Sequence, residues 1–391
     1  MRSILIIGLL LLLAMASFPP ATAATDETSA PAGTALPGPE TIRAVMKRVA
    51  DWQLTNPSAS SNRYTENAWT WGALYTGMMA WSRMADDPKY HDAMMAMGKR
   101  FDWKPAKRIY HADDHCVTQT YLELYLQHHD PAMLGPTRER FDYVLAHPST
   151  NDLHFDIKGA GDRWSWCDSL FMSPPALARL AAATNDKRYL DFLTREWWAT
   201  TDFLCDRDEH LYFRDSTYFE KREANGKKVF WSRGNGWVMA GTARVLEYLP
   251  KDHPDRPRFE KLFRDMAAKI LTCQQPDGLW RASLLDPASY PLKETSGSGF
   301  FIYALAWGVN HGLLDRATYE PAIVRGWAAL VDCVDADGKL THVQPVGADP
   351  KKFEPASSDV YGVGAFLLAG SEVDQLGRPQ PARRFPNPSA K

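Results

Sequence analysis

Asp168 is the residue of this chain whose setting best suits proton transfer: it follows Trp164 and Trp166 and precedes an apolar turn ending at Pro174 and Pro175, in the stretch KGAGDRWSWCDSLFMSPP (158–175). Indole rings strip water from a carboxylate, which disfavours its charged form and raises its pKa, so the acid stays protonated near neutral pH. Asp168 also stands where it could cap a helix starting at Ser169, and the two readings are compatible. A second acidic stretch, His111-Ala112-Asp113-Asp114-His115-Cys116, lies ahead of another helical pattern, so one of its carboxylates has the place of a cap. A further carboxylate facing Asp168 would raise the pKa of one partner. His111, Asp113 and His115 could be read as metal ligands, but nothing else in the chain completes a set of known spacing, and no metal is expected. The third stretch is Trp231-Ser232-Arg233-Gly234-Asn235-Gly236-Trp237. Its glycines allow close backbone approach, and Arg233 has the planar fork that grips a carboxylate through two bonds. The alternative is a helix-entry loop in which Arg233 pairs with a structural acid.

Fourteen tryptophans accompany these groups, several beside glycine or ionisable residues: Trp69, Trp71, Trp164, Trp166, Trp231, Trp237 and Trp280. Aromatic faces stack on the apolar faces of sugar rings, whereas the bland reading of any one of them is core filling. The 164/166 and 231/237 pairs, beside Asp168 and Arg233, are the ones read as ring-stacking walls.

The elements that must position these residues read as helix after helix: 40–53, 67–85, 87–100, 114–129, 131–146, 168–184, 186–203, 234–249, 256–273, 296–314, 316–332 and 356–369. Phe259, Leu262, Phe263, Met266, Ala267 and Ile270 show the spacing of one helical face. Strand-like alternation is confined to pieces such as Leu211 to Phe213 and Lys339 to Val343. Turns followed by a short extended run recur at Asn151, Asp208, Asp277-Gly278 and Asp337-Gly338, about 55–70 residues apart, the length of two helices and their connections. Six such hairpins can close into an all-α ring of six inner and six outer helices, an (α/α)6 barrel; an open solenoid would give the same period.

Composition bounds the rest. Met1-Arg2-Ser3, the apolar run Ile4 to Leu13 and Ala21-Thr22-Ala23 read as a secretory signal peptide over 1–23, too short to span a bilayer. An unstructured leader over 24–38, a single barrel domain over 39–375 and a tail over 376–391 follow. The expectation is export to the periplasm, with the extracellular space as the alternative, and no membrane attachment after cleavage. A formal net charge of −2 without a basic tract argues against nucleic acid as a partner. Five widely spaced cysteines lack zinc spacing and give no sign of a disulfide framework.

At the three stretches the chain resembles glycoside hydrolase family 105, the unsaturated rhamnogalacturonyl hydrolases, and the related family 88, the unsaturated glucuronyl hydrolases. WCDSLFMSPP is similar to the family's stretch around its acid/base Asp, which implies that role for Asp168. The second essential Asp, counted back from Leu124-Tyr125, falls on Asp113. WSRGNGW is the most specific match and implies substrate-facing roles for Trp231, Arg233 and Trp237, while Trp166 falls beside the acid and Lys158 corresponds loosely to a basic residue near the uronate carboxylate. The chain departs from the pattern where many relatives carry a His after Leu-Tyr-Phe; here Arg214 follows Phe213, so Arg214 is a candidate substrate contact. The resemblance covers nearly all of the chain after the leader.

It implies a cofactor-free monomeric hydrolase acting on oligosaccharides that end in a 4,5-unsaturated uronic acid. Protonation of C4 by Asp168 makes a C5 cation, water adds at C5, and the resulting hemiketal opens to expel the neighbouring sugar, so the usual two-carboxylate stereochemical rules do not govern the outcome. Rhamnose of rhamnogalacturonan is the implied neighbour, with arabinogalactan and ulvan fragments as alternatives. The rival readings are an inverting glycosidase using Asp113 and Asp168 on saturated glycosides, and a uronide-binding protein without turnover.

Overall fold

The computed structural model describes residues 35–57 and 64–378. The expected signal peptide, the expected leader up to residue 34 and the expected tail beyond 378 lie outside the described residues. Thirteen α-helices are seen among them: α1 Pro39–Thr55, α2 Trp69–Ser82, α3 Lys89–Arg100, α4 Thr118–His128, α5 Pro131–Ala146, α6 Ser169–Met172, α7 Pro174–Thr184, α8 Arg188–Leu204, α9 Ser232–Leu246, α10 Arg256–Cys273, α11 Thr295–Asn310, α12 Arg316–Val331 and α13 Val360–Leu376. The expected helix over 168–184 is two pieces because Pro174 and Pro175, having no N–H to give, start a new helix after Ser173.

The inner layer is α2, α4, the α6/α7 pair, α9, α11 and α13, buried almost all round; α1, α3, α5, α8, α10 and α12 pack outside it. Outer helices keep one apolar face, as in α10, where Phe259, Phe263, Met266, Ala267 and Ile270 are buried. The last inner helix, α13, packs on the first, α2, so the array is a closed (α/α)6 barrel and not an open solenoid. The seam is backbone against backbone: a Cβ on Gly77 would stand 2.3 Å from the Gly364 carbonyl oxygen, and one on Gly364 would stand 2.3 Å from that of Ala73. Gly77→Ala therefore overpacks the seam, with an expected loss of about 3 kcal/mol by urea denaturation; a loss below about 0.5 kcal/mol would show that the seam can give.

Strand structure is slight. Cys205–Asp206 (β1) pairs antiparallel with Leu211–Tyr212 (β2), and the 339–343 run makes only the isolated bridge Val334–Leu340. Asp277-Gly278 and Asp337-Gly338 are the expected turns, with Gly φ values of 91° and 95°. All five cysteines are unpaired thiols.

Candidate active site

Inner helices all begin at one end of the barrel. There the rings of Trp69 (α2), Trp237 (α9), Phe300 (α11) and Tyr361 (α13) meet, with centroids 6.1 Å apart for Trp69–Trp237, 5.4 Å for Trp69–Tyr361 and 4.3 Å for Trp237–Phe300. Asp113 and Asp168 sit at the same end, ahead of α4 and α6.

Asp168 is buried, 9% exposed, and its side chain caps nothing. Among the described residues, the one side-chain donor it receives is the Cys167 thiol, at 3.4 Å from Oδ1. Burial raises its pKa, against the pull of Arg214 and then Arg233. The capping alternative is thus removed, and a poorly compensated carboxyl remains.

Asp113 lies in the 3-10 turn Ala112–His115, which packs on α6. Burial pushes its carboxyl up to about 7; Arg108 opposes the rise, and the charges of Asp168 and Asp114 add to it. The charge of Asp168 thus helps to keep the Asp113 carboxyl in its protonated form. Neither acidic neighbour is a helix cap. Asp114 instead accepts from the Arg108 backbone N–H at 2.6 Å and from its guanidinium Nε and Nη2 at 3.0 and 2.6 Å. His115 is spoken for by Ser173 Oγ and the Ile109 carbonyl, at 2.9 and 2.8 Å, and does not join His111 and Asp113.

Arg214 is brought to Asp168 by the backbone. The Cys167 N–H donates to the Arg214 carbonyl at 2.8 Å, and Trp166 bridges Asp215. Buried Asp215 accepts from the Arg214 guanidinium and, through its other oxygen, from the Thr217 backbone and hydroxyl. The guanidinium lies over the Phe155 ring at 4.3 Å, and its Nε is buried without a partner. A cation fixed by one acid, with donors to spare beside a second, is prepared for an anionic ligand.

The WSRGNGW stretch does other work than expected. Arg233 is fully buried, with Nη1 and Nη2 donating to the Gln344 and Pro345 carbonyls at 2.6 and 3.0 Å, between the rings of Trp231 and Tyr361 at 4.4 and 4.8 Å. A fork committed to carbonyls and closed off from solvent is not an open grip for substrate, and among the described residues it pairs with no structural acid either. Trp231 donates to Gln344 Oε1 at 2.8 Å, and Trp237 is buried among Phe171, Phe300, Trp69 and Tyr361; both are walls of the core and not exposed platforms. Asn235 holds both the N–H and the carbonyl of Tyr212, fixing the segment that carries Arg214, and Gly234 lets Cys167 approach to where a Cβ would stand 3.0 Å from its sulfur. The motif thus acts on the acid through packing.

Trp166 is also buried, with its ring 4.7 Å from that of His111. Lys158 is solvent-exposed on the loop before Asp168. Of the seven singled-out tryptophans, Trp69 alone is half-exposed, and Phe155, beneath the Arg214 guanidinium, is half-exposed as well. Sequence reading passed over Phe155 and Arg108; nothing local marks either one, since only the packed loops bring them to the acids.

Acid–base chemistry on a sugar is what such a carboxyl pair at the mouth of a helical barrel is suited to, and the class it defines is a glycoside hydrolase. The chain belongs to glycosyl hydrolase family 88, whose family model matches residues 45–376. It is 40% identical over 348 residues, 86% of this chain and 91% of the relative, to the unsaturated 3S-rhamnoglycuronyl hydrolase of Formosa agariphila. Among solved structures it resembles a family 88 glycosyl hydrolase from Bacteroides vulgatus, with TM-score 0.77, 31% identity and coverage of 87% of this chain and 99% of that one. It likewise resembles a protein described as a polysaccharide lyase, with TM-score 0.78, 32% identity and coverage of 86% and 98%.

Proposed function

We propose that the chain removes a 4,5-unsaturated uronic acid from the non-reducing end of lyase-generated oligosaccharides in which the next sugar is rhamnose. The observation that carries this is the Asp113–Asp168 pair, both pushed toward the protonated form at one barrel mouth. An enol ether needs a proton delivered to carbon, and a water-poor carboxylic acid that can take a proton back supplies both steps. Asp168 protonates C4; the ring oxygen stabilises the cation at C5; Asp168 then draws the proton from the water adding there. Asp113 carries the shared proton between turnovers and returns it. The hemiketal opens and releases the neighbouring sugar.

Arg214 holds the uronate carboxylate, and the inner-helix N-termini gathered at this end favour the same negative charge. The name borne by the 40% identical relative makes the 3S-rhamnoglycuronyl form the first substrate to try, alongside rhamnogalacturonan fragments. The same reading has the chain exported to the periplasm and working as a monomer, without a cofactor.

Incubation with a panel of lyase-generated oligosaccharides, following ultraviolet absorbance and product mass, tests it. Absorbance of the conjugated enol ether falls if the reading holds. A lyase would raise it, and an inverting glycosidase would act instead on saturated glycosides; either result ends the proposal. Arg214→Met is expected to raise KM for the charged substrate at least about tenfold with kcat within a few-fold. An unchanged KM would remove Arg214 from the carboxylate.

A further inference from the structure

His111 stands beside the acid pair, and its chemistry is not yet used. Its ring is tilted over Trp166 at a centroid distance of 4.7 Å and an angle of 44°. On the other side stands Gly161, where a Cβ would come within 2.5 Å of ring Cδ2 and 2.9 Å of Nε2. A ring clamped between an indole and a bare backbone has little freedom. Its Nδ1 is buried, has no hydrogen-bond partner and lies 3.6 Å from Asp113 Oδ2. That distance is too long for a hydrogen bond, and an orphaned buried nitrogen is costly unless some state of the protein uses it. Burial, with Arg108 next in weight, holds the imidazole down to about 4, so near neutral pH the ring is uncharged, with one nitrogen able to donate, and is not an ion-pair partner.

We infer that His111 is a positioning residue for Asp113, its Nδ1–H closing onto the Asp113 carboxylate in the state where that carboxylate is ionised. The inference rests on the reading above that Asp113 works with Asp168. No proton crosses the contact: the imidazole keeps its N–H, and Asp113 exchanges its proton with Asp168. The contact would favour the ionised form of Asp113 and aim its oxygen. The other groups facing Asp113 are Arg108 from the preceding loop, Asp114 from its own turn, Cys116 just after it, Asp168 at the head of α6 and Arg214 from beyond β2. Of these, Arg108 and Arg214 also favour ionisation, so a variant at His111 moves one contribution among three.

Asp113 is titrated directly, by carbon NMR of the full-length protein labelled at aspartate Cγ, with its signal identified by its loss in Asp113→Asn. His111→Phe keeps the ring and its burial but removes the donor, while His111→Asn returns an N–H near the Nδ1 position. The Asp113 midpoint should rise by about one unit or more in His111→Phe and stay close to that of the parent in His111→Asn. An unmoved midpoint in His111→Phe, or an equal rise in both variants, overturns the inference. Should His111→Phe not fold, His111→Leu makes the same comparison. The alkaline side of the kcat/KM profile on an unsaturated disaccharide separates the two readings. A moved NMR midpoint with an unmoved profile keeps His111 in its role and removes Asp113 from catalysis, whereas an unmoved midpoint in a protein that Asp113→Asn inactivates does the reverse.

Discussion

The Asp168→Asn protein is expected to fold, to bind the unsaturated oligosaccharide and to turn it over at least about a thousandfold more slowly, the scale of a lost general acid. Nothing structural should fail with it. The Cys167 thiol can donate to an amide oxygen as it does to Oδ1, and Arg214 keeps its own counter-ion in Asp215. Stability should even rise. A carboxyl whose pKa is higher folded than unfolded favours the fold when protonated, and that benefit is lost as pH climbs through the folded value. Asp113, pushed up from 3.8 to about 7, therefore costs stability at pH 8, a cost that shrinks as pH falls through 7 and is gone by about pH 4. Replacing either acid with its amide should accordingly raise the melting temperature at pH 8 and leave it near that of the parent at pH 4. A variant that still consumed substrate at near the parental rate would show that the proton comes from elsewhere.

The second large effect lies at the opposite end of the barrel. Glu123 on α4 is buried and receives Arg179 Nε from α7 at 3.0 Å, Arg244 Nη2 from α9 at 2.8 Å and, on its other oxygen, Arg83 Nη1 from the end of α2 at 2.9 Å. Arg244 also donates to Gln119 at 2.8 Å. One carboxylate thus serves cations from three other inner helices, and it is held well below the usual carboxylate range, the pull of Arg179, Arg83 and Arg244 overcoming its burial. Glu123→Leu would leave Arg179 and Arg244 buried without that charge, at an expected cost of about 3–5 kcal/mol in chemical denaturation. Glu123→Gln, which keeps an acceptor, should lose less. The contribution of a depressed carboxyl is complete above its unfolded pKa and is lost as pH falls toward the folded value. The gap between parent and Gln variant should therefore hold at neutral pH and close only in acid. A loss under about 1 kcal/mol for Glu123→Leu would mean that neighbouring groups re-pair around the gap.

Much of this was legible along the chain because helices and turns are local. The twelve expected helical stretches match what forms, the 168–184 stretch being divided at Pro174. The largest boundary error is the last one, expected over 356–369 and found at Val360–Leu376. Asp359 caps the true start through the Val360 N–H, and Gly370, which reads as a stop, is an interior residue packed against Met46 and Trp327. The dry setting of Asp168 was legible because its aromatic neighbours Trp164 and Trp166 are adjacent in sequence. The burial of Arg233 and Trp237 was not legible, because their types suit a core and a sugar site equally well. The carbonyls that occupy Arg233 come from 111 and 112 residues away, and the aromatic cluster around Trp237 is assembled from four helices. No local pattern carries that information.

The glycine seam between α2 and α13 has a consequence for synthesis. Because the final inner helix keys into the first, a nascent chain emerging from the ribosome carries an unclosed arc, with the apolar flank of α2 waiting for a mate that is translated about 290 residues later. Tyr361, which stacks on Trp69 and donates to the Gln344 carbonyl that Arg233 also holds, arrives with that mate. Competence for chemistry thus comes to the whole molecule in one late event, and no shortened product of translation inherits a share of it.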